Sequence, residues 1–168
     1  MGRAQKLSLR TGAALMLATV LVACGGKGGS TTASSTPVVA NLGVSFGAQC
    51  TLASGLAGTR GFVTFEFVDA EGDLSGGRVV ATATFDVGGP ITITFNIPSP
   101  EVTVSGTTSG TVTLLTCIRF GSSSSAILSG ALFDAANQAS NTLTLSVQRP
   151  AGAPEAPRSG GAFQELRW

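Results

Sequence analysis

The sequence contains no histidine, no tyrosine and little charge: Asp, Glu, Lys and Arg make up 11% of its 168 residues. Without histidine, the chain cannot build a Ser-His-Asp triad, a Cys-His pair or a histidine-ligated zinc site. Its only lysines, Lys6 and Lys27, both precede the part of the chain that is expected to fold. Catalysis by a positioned lysine amine is therefore excluded as well.

The cations are too scattered for nucleic-acid recognition. Three of the ten lie in the first ten residues, which leaves seven against nine acidic residues, a downstream charge of about −2. Arg60, Arg78, Arg119 and Arg149 lie far apart along the chain, whereas binding a run of phosphates needs clustered basic side chains. We therefore expect no nucleic-acid partner.

Residues 1–23 have the features of a bacterial export signal. Residues 1–10 carry three cations and no anion, and an apolar run extends from Ala13 to Ala23. This run is shorter than the ~20 apolar residues that cross a bilayer. It is typical of the helical core of a cleaved signal peptide.

The apolar run ends in Leu21-Val22-Ala23-Cys24, which resembles the lipobox of bacterial lipoprotein precursors at all four positions. The resemblance implies cleavage before Cys24, a diacylglycerol on its sulfur and a fatty acyl chain such as palmitate on its amine. More than one acyl chain gives stable membrane anchoring. Because residue 25 is glycine and not aspartate, the resemblance also implies the outer membrane in a bacterium with two membranes. A secretory signal with an incidental cysteine is the alternative.

Composition divides the rest of the chain into three segments. Residues 24–37 comprise the lipidated cysteine and a Gly/Ser/Thr tether, and residues 38–150 are expected to form one β domain. Residues 151–168 are rich in Pro, Ala and Gly, which indicates a flexible tail. The final FQELRW is a candidate docking segment.

An alternation of apolar and polar residues predicts an all-β domain. Apolar side chains alternate mostly with threonine or serine in three stretches: 79–87, 91–97 and 142–147. This period of two is typical of half-buried antiparallel strands. Gly, Pro, Asp and Ser separate further strand candidates near 42–50, 60–69, 101–105, 110–120 and 125–133. Seven to eight short strands at about ten-residue spacing favour a sandwich or barrel.

Two cysteines, Cys50 and Cys117, remain once Cys24 is lipidated. An even remainder in an exported protein suggests one disulfide, with two free thiols as the alternative. Residues 133–147 are similar to the last hairpin of many bacterial immunoglobulin-like domains, and the chain resembles an immunoglobulin-like β-sandwich. The resemblance implies that the Cys50–Cys117 bond joins the two sheets. Because no Trp lies between the cysteines and Tyr is absent, the antibody-type core is missing.

Asp69, Glu71 and Asp73 form a candidate calcium site. They place three carboxylates within five residues, and Ca²⁺ prefers six to eight oxygen ligands. The spacing is not that of an EF-hand, and a tight turn without metal is the alternative, because Asp and Gly are common turn residues. A second oxygen-rich turn contains Asp134, Asn137 and Asn141.

The sequence thus predicts a lipid-anchored, non-catalytic binding or structural module of the cell envelope, facing the periplasm or the cell surface. Its expected contacts are the membrane, through Cys24, and an envelope protein or a glycan; no cofactor other than calcium is expected. The alternative is a carboxylate-dependent hydrolase, such as a small glycan-acting enzyme. That enzyme would need two carboxylates facing each other across a cleft, from among Glu66, Asp69, Asp73 and Asp86.

Overall fold

The computed structural model describes residues 35–154 and the backbone of residues 165–167. The predicted signal peptide, Cys24 and most of the predicted tether lie outside these residues. The regular structure of the described residues is β-strand throughout, which confirms the all-β prediction. The same residues contain no helix with the length and apolarity needed to cross a membrane.

Eight strands lie where the alternation predicts them, and a ninth lies in the predicted tail. They are β1 (Val38–Thr51), β2 (Ala57–Val68), β3 (Arg78–Phe85), β4 (Pro90–Asn96), β5 (Val102–Ser105), β6 (Ser109–Arg119), β7 (Ser125–Phe133), β8 (Leu143–Gln148) and β9 (Glu165–Arg167). The strands form where β-branched and aromatic residues alternate with threonine and serine, because such residues fit a pleated surface with one buried face.

The strands form two antiparallel sheets. The first sheet has the order β1-β2-β6-β5, with β9 also paired to β6, and the second has the order β4-β3-β7-β8. Among β1 to β8, consecutive strands change sheet between β2 and β3, between β4 and β5, and between β6 and β7. This arrangement fits the predicted immunoglobulin-like sandwich.

Alternate apolar side chains from both sheets form the core. Phe67 and Leu114 of the first sheet belong to the same buried cluster as Val79, Phe95 and Leu132 of the second. A neighbouring cluster contains Phe85, Ile118, Phe120 and Leu128. Burial of this apolar surface is the main force that holds the sheets together.

The strand register defines two ends of the sandwich. Val38, at the start of β1, pairs with Val68, at the end of β2. We call this the entry end, because the chain enters the domain there. The loops after β2 and β7 also lie at the entry end, since Arg78 of β3 pairs with Phe133 of β7. The far end carries the opposite set of loops, 52–56, 86–89 and 120–124.

Cys50 and Cys117 form a disulfide with their Cα atoms 6.0 Å apart, so the predicted pairing is confirmed. The prediction that it joins the two sheets is wrong, because β1 and β6 lie in the same sheet with β2 between them. Cys50 pairs with Gly58 of β2, and a Cβ on Gly58 would lie 2.8 Å from the Sγ of Cys117. The bond therefore passes over Gly58, within the first sheet.

Candidate functional site

Two loops of the same construction lie at the entry end: residues 69–73 after β2, and residues 134–138 after β7. Each begins with an aspartate whose carboxylate accepts a hydrogen bond from the backbone N–H four residues later. Asp73 N–H donates to Asp69 Oδ2 at 3.0 Å, and Gln138 N–H donates to Asp134 Oδ1 at 2.7 Å. We call them the paired aspartate loops.

The backbone of the two loops matches as well. The fourth residue of each has a positive φ, +68° at Gly72 and +66° at Asn137. Its N–H donates to the carbonyl oxygen of the first residue, Asp69 at 3.2 Å or Asp134 at 3.1 Å. Glycine and asparagine tolerate this left-handed conformation better than other residues. The sequences DAEGD and DAANQ therefore specify the same turn.

Each aspartate loop buries a carboxylate that is only partly satisfied. Asp69 and Asp134 are each 1% exposed. One oxygen of each, Asp69 Oδ1 and Asp134 Oδ2, has no hydrogen-bond partner among the described residues, and neither has Asp73 Oδ1. Buried polar atoms are nearly always paired, because an unpaired one loses its hydration without compensation. Three orphaned carboxylate oxygens are therefore unusual.

The two loops contact each other and interact electrostatically. Ala135 N–H donates to the carbonyl oxygen of Asp73 at 3.1 Å. Burial raises the pKa of Asp69, and the negative charges of Asp73, Glu71 and Asp134 raise it further, against the lowering effect of the Asp73 N–H bond. The interactions that set this pKa include no cationic side chain. Asp69 therefore lies among other carboxylates, while Arg78, at the same end, lies over the ring of Phe133.

Unlike Asp69 and Asp73, Glu71 is hydrogen-bonded to the incoming chain. Its carboxylate accepts hydrogen bonds from Ser35, from the N–H at 2.8 Å and from the Oγ at 2.5 Å. These bonds, first that from the side chain, lower the pKa of Glu71. Of the three predicted ligands, Asp69 and Asp73 share one turn, and Glu71 is bonded to Ser35. The charges of Asp73, Glu71 and Asp134 all act on Asp69.

From the sequence alone, the 134–138 turn is a feature separate from the 69–73 turn. The signal that links the loops is their shared pattern, Asp-Ala followed by a left-handed residue in fourth place. Within residues 35–154, no group of three or more His, Cys, Asp or Glu side chains is already placed to hold a metal ion. Calcium binding by this corner stays a prediction.

The paired aspartate loops and the residues after them also hold the incoming chain. Besides the bonds from Ser35 to Glu71, Thr36 Oγ1 donates to Gln138 Oε1 at 3.2 Å. Asn141 brackets Val39 by accepting from its N–H and donating to its carbonyl oxygen, both at 2.9 Å. The last residues of the predicted tether therefore belong to the folded domain, which begins by Ser35.

The four carboxylates that the hydrolase alternative names do not all lie together. Asp86 follows β3, whereas Asp73 precedes it, and an eight-residue strand is about 25 Å long. Glu66 is exposed and accepts a hydrogen bond from Asn41 Nδ2 at 2.6 Å. The apolar cavity between the sheets has a volume of about 40 Å³, far below the ~300–1,000 Å³ of ordinary ligand pockets. A more open pocket of about 360 Å³ contains Glu66 but none of the other three carboxylates.

Comparison of the chain with protein families, with curated proteins and with solved structures finds no match. No relative therefore carries a function over to this chain. Function is inferred from its own residues: the lipobox-like N-terminus, the disulfide within the first sheet and the paired aspartate loops at the entry end.

Proposed function

We propose that the chain is a lipid-anchored module of the bacterial cell envelope that binds or supports other envelope components without catalysis. The observation that carries the proposal is Leu21-Val22-Ala23-Cys24, which follows an apolar run and precedes a Gly/Ser/Thr segment. The Cys50–Cys117 disulfide supports it, because disulfides persist in oxidising compartments outside the cytosol.

Chain connectivity supports a particular orientation for such a module. Residues 25–34 would separate the lipid on Cys24 from Ser35, the first described residue of the entry end. The entry end would then face the membrane, and the far end would face an envelope protein or a glycan.

The separation of the carboxylates supports a module over a hydrolase. Glycosidase pairs stand about 5–9.5 Å apart across a cleft, whereas Asp73 and Asp86 lie at opposite ends of β3. Asp69 and Asp73 do lie together, but Asp69 is buried, so its carboxylate is not exposed to a substrate. A catalytic role would require a different set of side chains.

Lipidation is tested by expressing the chain in bacteria supplied with radiolabelled palmitate. The unmodified chain should take up label and run at the mass of the processed form. The Cys24→Ser variant should take up none and stay at precursor mass, because the sulfur that accepts the lipid is gone. Cys50→Ser is the matched control and should keep the label.

Sorting provides the second part of this test. In a bacterium with two membranes, Gly25→Asp should keep the label but move the protein from the outer to the inner membrane on a density gradient. Label that persists on the Cys24→Ser chain, or cleavage of that chain at the same site, would contradict lipid anchoring at Cys24.

A further inference from the structure

The entry end contains an unmet requirement for positive charge. Asp69, Asp73 and Asp134 each keep one buried oxygen without a hydrogen-bond partner, and the backbone bond from Ala135 to Asp73 holds the two loops together. A buried carboxylate is stable only when a proton, a donor or a cation compensates for its lost hydration. Within residues 35–154, no donor is hydrogen-bonded to any of these three oxygens.

We propose that the paired aspartate loops form a Ca²⁺ site, with Asp69, Asp73 and Asp134 as its carboxylate ligands and Glu71 outside it. Asp69 and Asp134 each use one oxygen to hold their own loop. The other oxygen of each is the orphaned one. A cation can therefore bind to the free oxygens while the bonds that shape both loops stay intact.

Ligand chemistry selects calcium over other metals. All three ligands are carboxylates, which suit hard cations, and the sequence has no histidine for softer metals. Ca²⁺ accepts six to eight oxygens in flexible geometry, including backbone carbonyls and water, whereas Mg²⁺ demands a near-ideal octahedron. A shell of three carboxylates completed by carbonyls and water fits the larger ion.

The three side chains are not already placed around a common point. Like charges repel, so without a cation the three carboxylates have no reason to converge, and Asp73 is only half-buried. Binding would lock both loops, and with them Glu71 and Gln138, which hold Ser35 and Thr36. The ion would therefore stiffen the point at which the chain enters the domain, whether or not Cys24 is lipidated.

The test is thermal unfolding of the full chain, purified from membranes in detergent, in chelator, in calcium and in magnesium at equal ionic strength. Extracellular calcium modules bind at about 10⁻⁴ to 10⁻³ M, so ~10 mM Ca²⁺ should raise Tm by several degrees. Asp134→Asn should abolish the rise. Glu71→Gln, a matched loss of one charge in the same loop, should keep it.

Direct titration with calcium covers the case in which Asp134→Asn does not fold. Asp73→Asn, at a half-buried position, should then weaken the calorimetric Kd at least tenfold, because it removes one of three carboxylates. Four results would contradict the site. In the unmodified chain, they are a Tm that calcium does not change and a Tm that magnesium raises equally. In the variants, they are a Tm rise that folded Asp134→Asn keeps and a Kd that Asp73→Asn leaves unchanged.

Discussion

At the scale of single residues, local environment lowers the pKa of Asp86 and raises the pKa of Asp69. Asp86 at the far end accepts hydrogen bonds from the N–H groups of Ser124 and Ser125, at 3.1 and 3.2 Å, and from both hydroxyls. These bonds, first that from the Ser124 side chain, lower the pKa of Asp86 to about 2. Burial raises the pKa of Asp69. Lowering the pH should therefore weaken the hydrogen bonds of Asp86. It should relieve the cost of burying a charged carboxylate at Asp69.

We expect the Asp86 contact to be lost between about pH 4 and pH 2. Its folded pKa lies below its unfolded value of about 3.9, so its contribution to stability is complete above that value and disappears as pH falls through about 2. Ser124→Ala should move the pKa of Asp86 up towards its ordinary value, as measured by NMR titration. Ser122→Ala, on the same loop, should not; equal pKa values in both variants would contradict this account.

At the scale of elements, alternation predicts the strands of the sandwich but not all of their limits. β1 begins at Val38, four residues before the start that the alternation predicts. The pairing register of β1 with β2 shifts between Ala40 and Gly43. That irregularity interrupts the period of two. β9 has only three residues, too few to show any period. It pairs with Cys117–Arg119 of β6, a contact that the composition of the tail does not reveal.

The sheet that holds the disulfide was not predictable from the sequence. Cysteine count fixes which residues can pair, but strand order depends on contacts between distant segments. β6 pairs with β2 along ten residues, which places Cys117 in the same sheet as Cys50. Gly58 is the local feature that permits the link, because any larger residue there would meet the sulfur.

Gly58→Ala should destabilise the domain by about 1–3 kcal/mol, the usual effect of overpacking. Its Cβ would lie 2.8 Å from Cys117 Sγ and 3.1 Å from the backbone oxygen of Ile118, and neither atom moves freely. Gly89→Ala is the control, since nothing lies within 4 Å of its added Cβ. Urea unfolding of both variants should separate them; equal midpoints would show that β2 and the disulfide adjust without strain.

At the scale of the whole molecule, the candidate site results from packing between segments far apart in the chain. Local pattern is enough to identify Asp69 and Asp73 as neighbours in one turn. Asp134 joins them only because β3 pairs with β7, which brings the loop after β7 beside the loop before β3. Long-range pairing of this kind cannot be inferred from a single sequence, so the sequence alone does not link Asp134 to the proposed site.

The disulfide should contribute a large share of the stability of this small domain. It joins residues 67 positions apart, and a loop of that size restricts the unfolded chain by roughly 4 kcal/mol in the chain-entropy estimate. A Cys50→Ser, Cys117→Ser double variant should therefore lose about 2–5 kcal/mol in urea unfolding. Protein purified from the envelope should be two hydrogens lighter than its reduced form by mass spectrometry.

Because the disulfide lies within the first sheet, its removal should reduce protection from hydrogen exchange more in that sheet than in the second. Removing it should raise hydrogen exchange in the far half of β1 and in the start of β2, which the bond holds together over Gly58. The pairing of β3 with β7 lies in the other sheet and should stay protected under native conditions. Equal loss of protection in both sheets would indicate that the bond acts only through global stability. Alkylation of both thiols in protein taken from the envelope would show that the bond does not form.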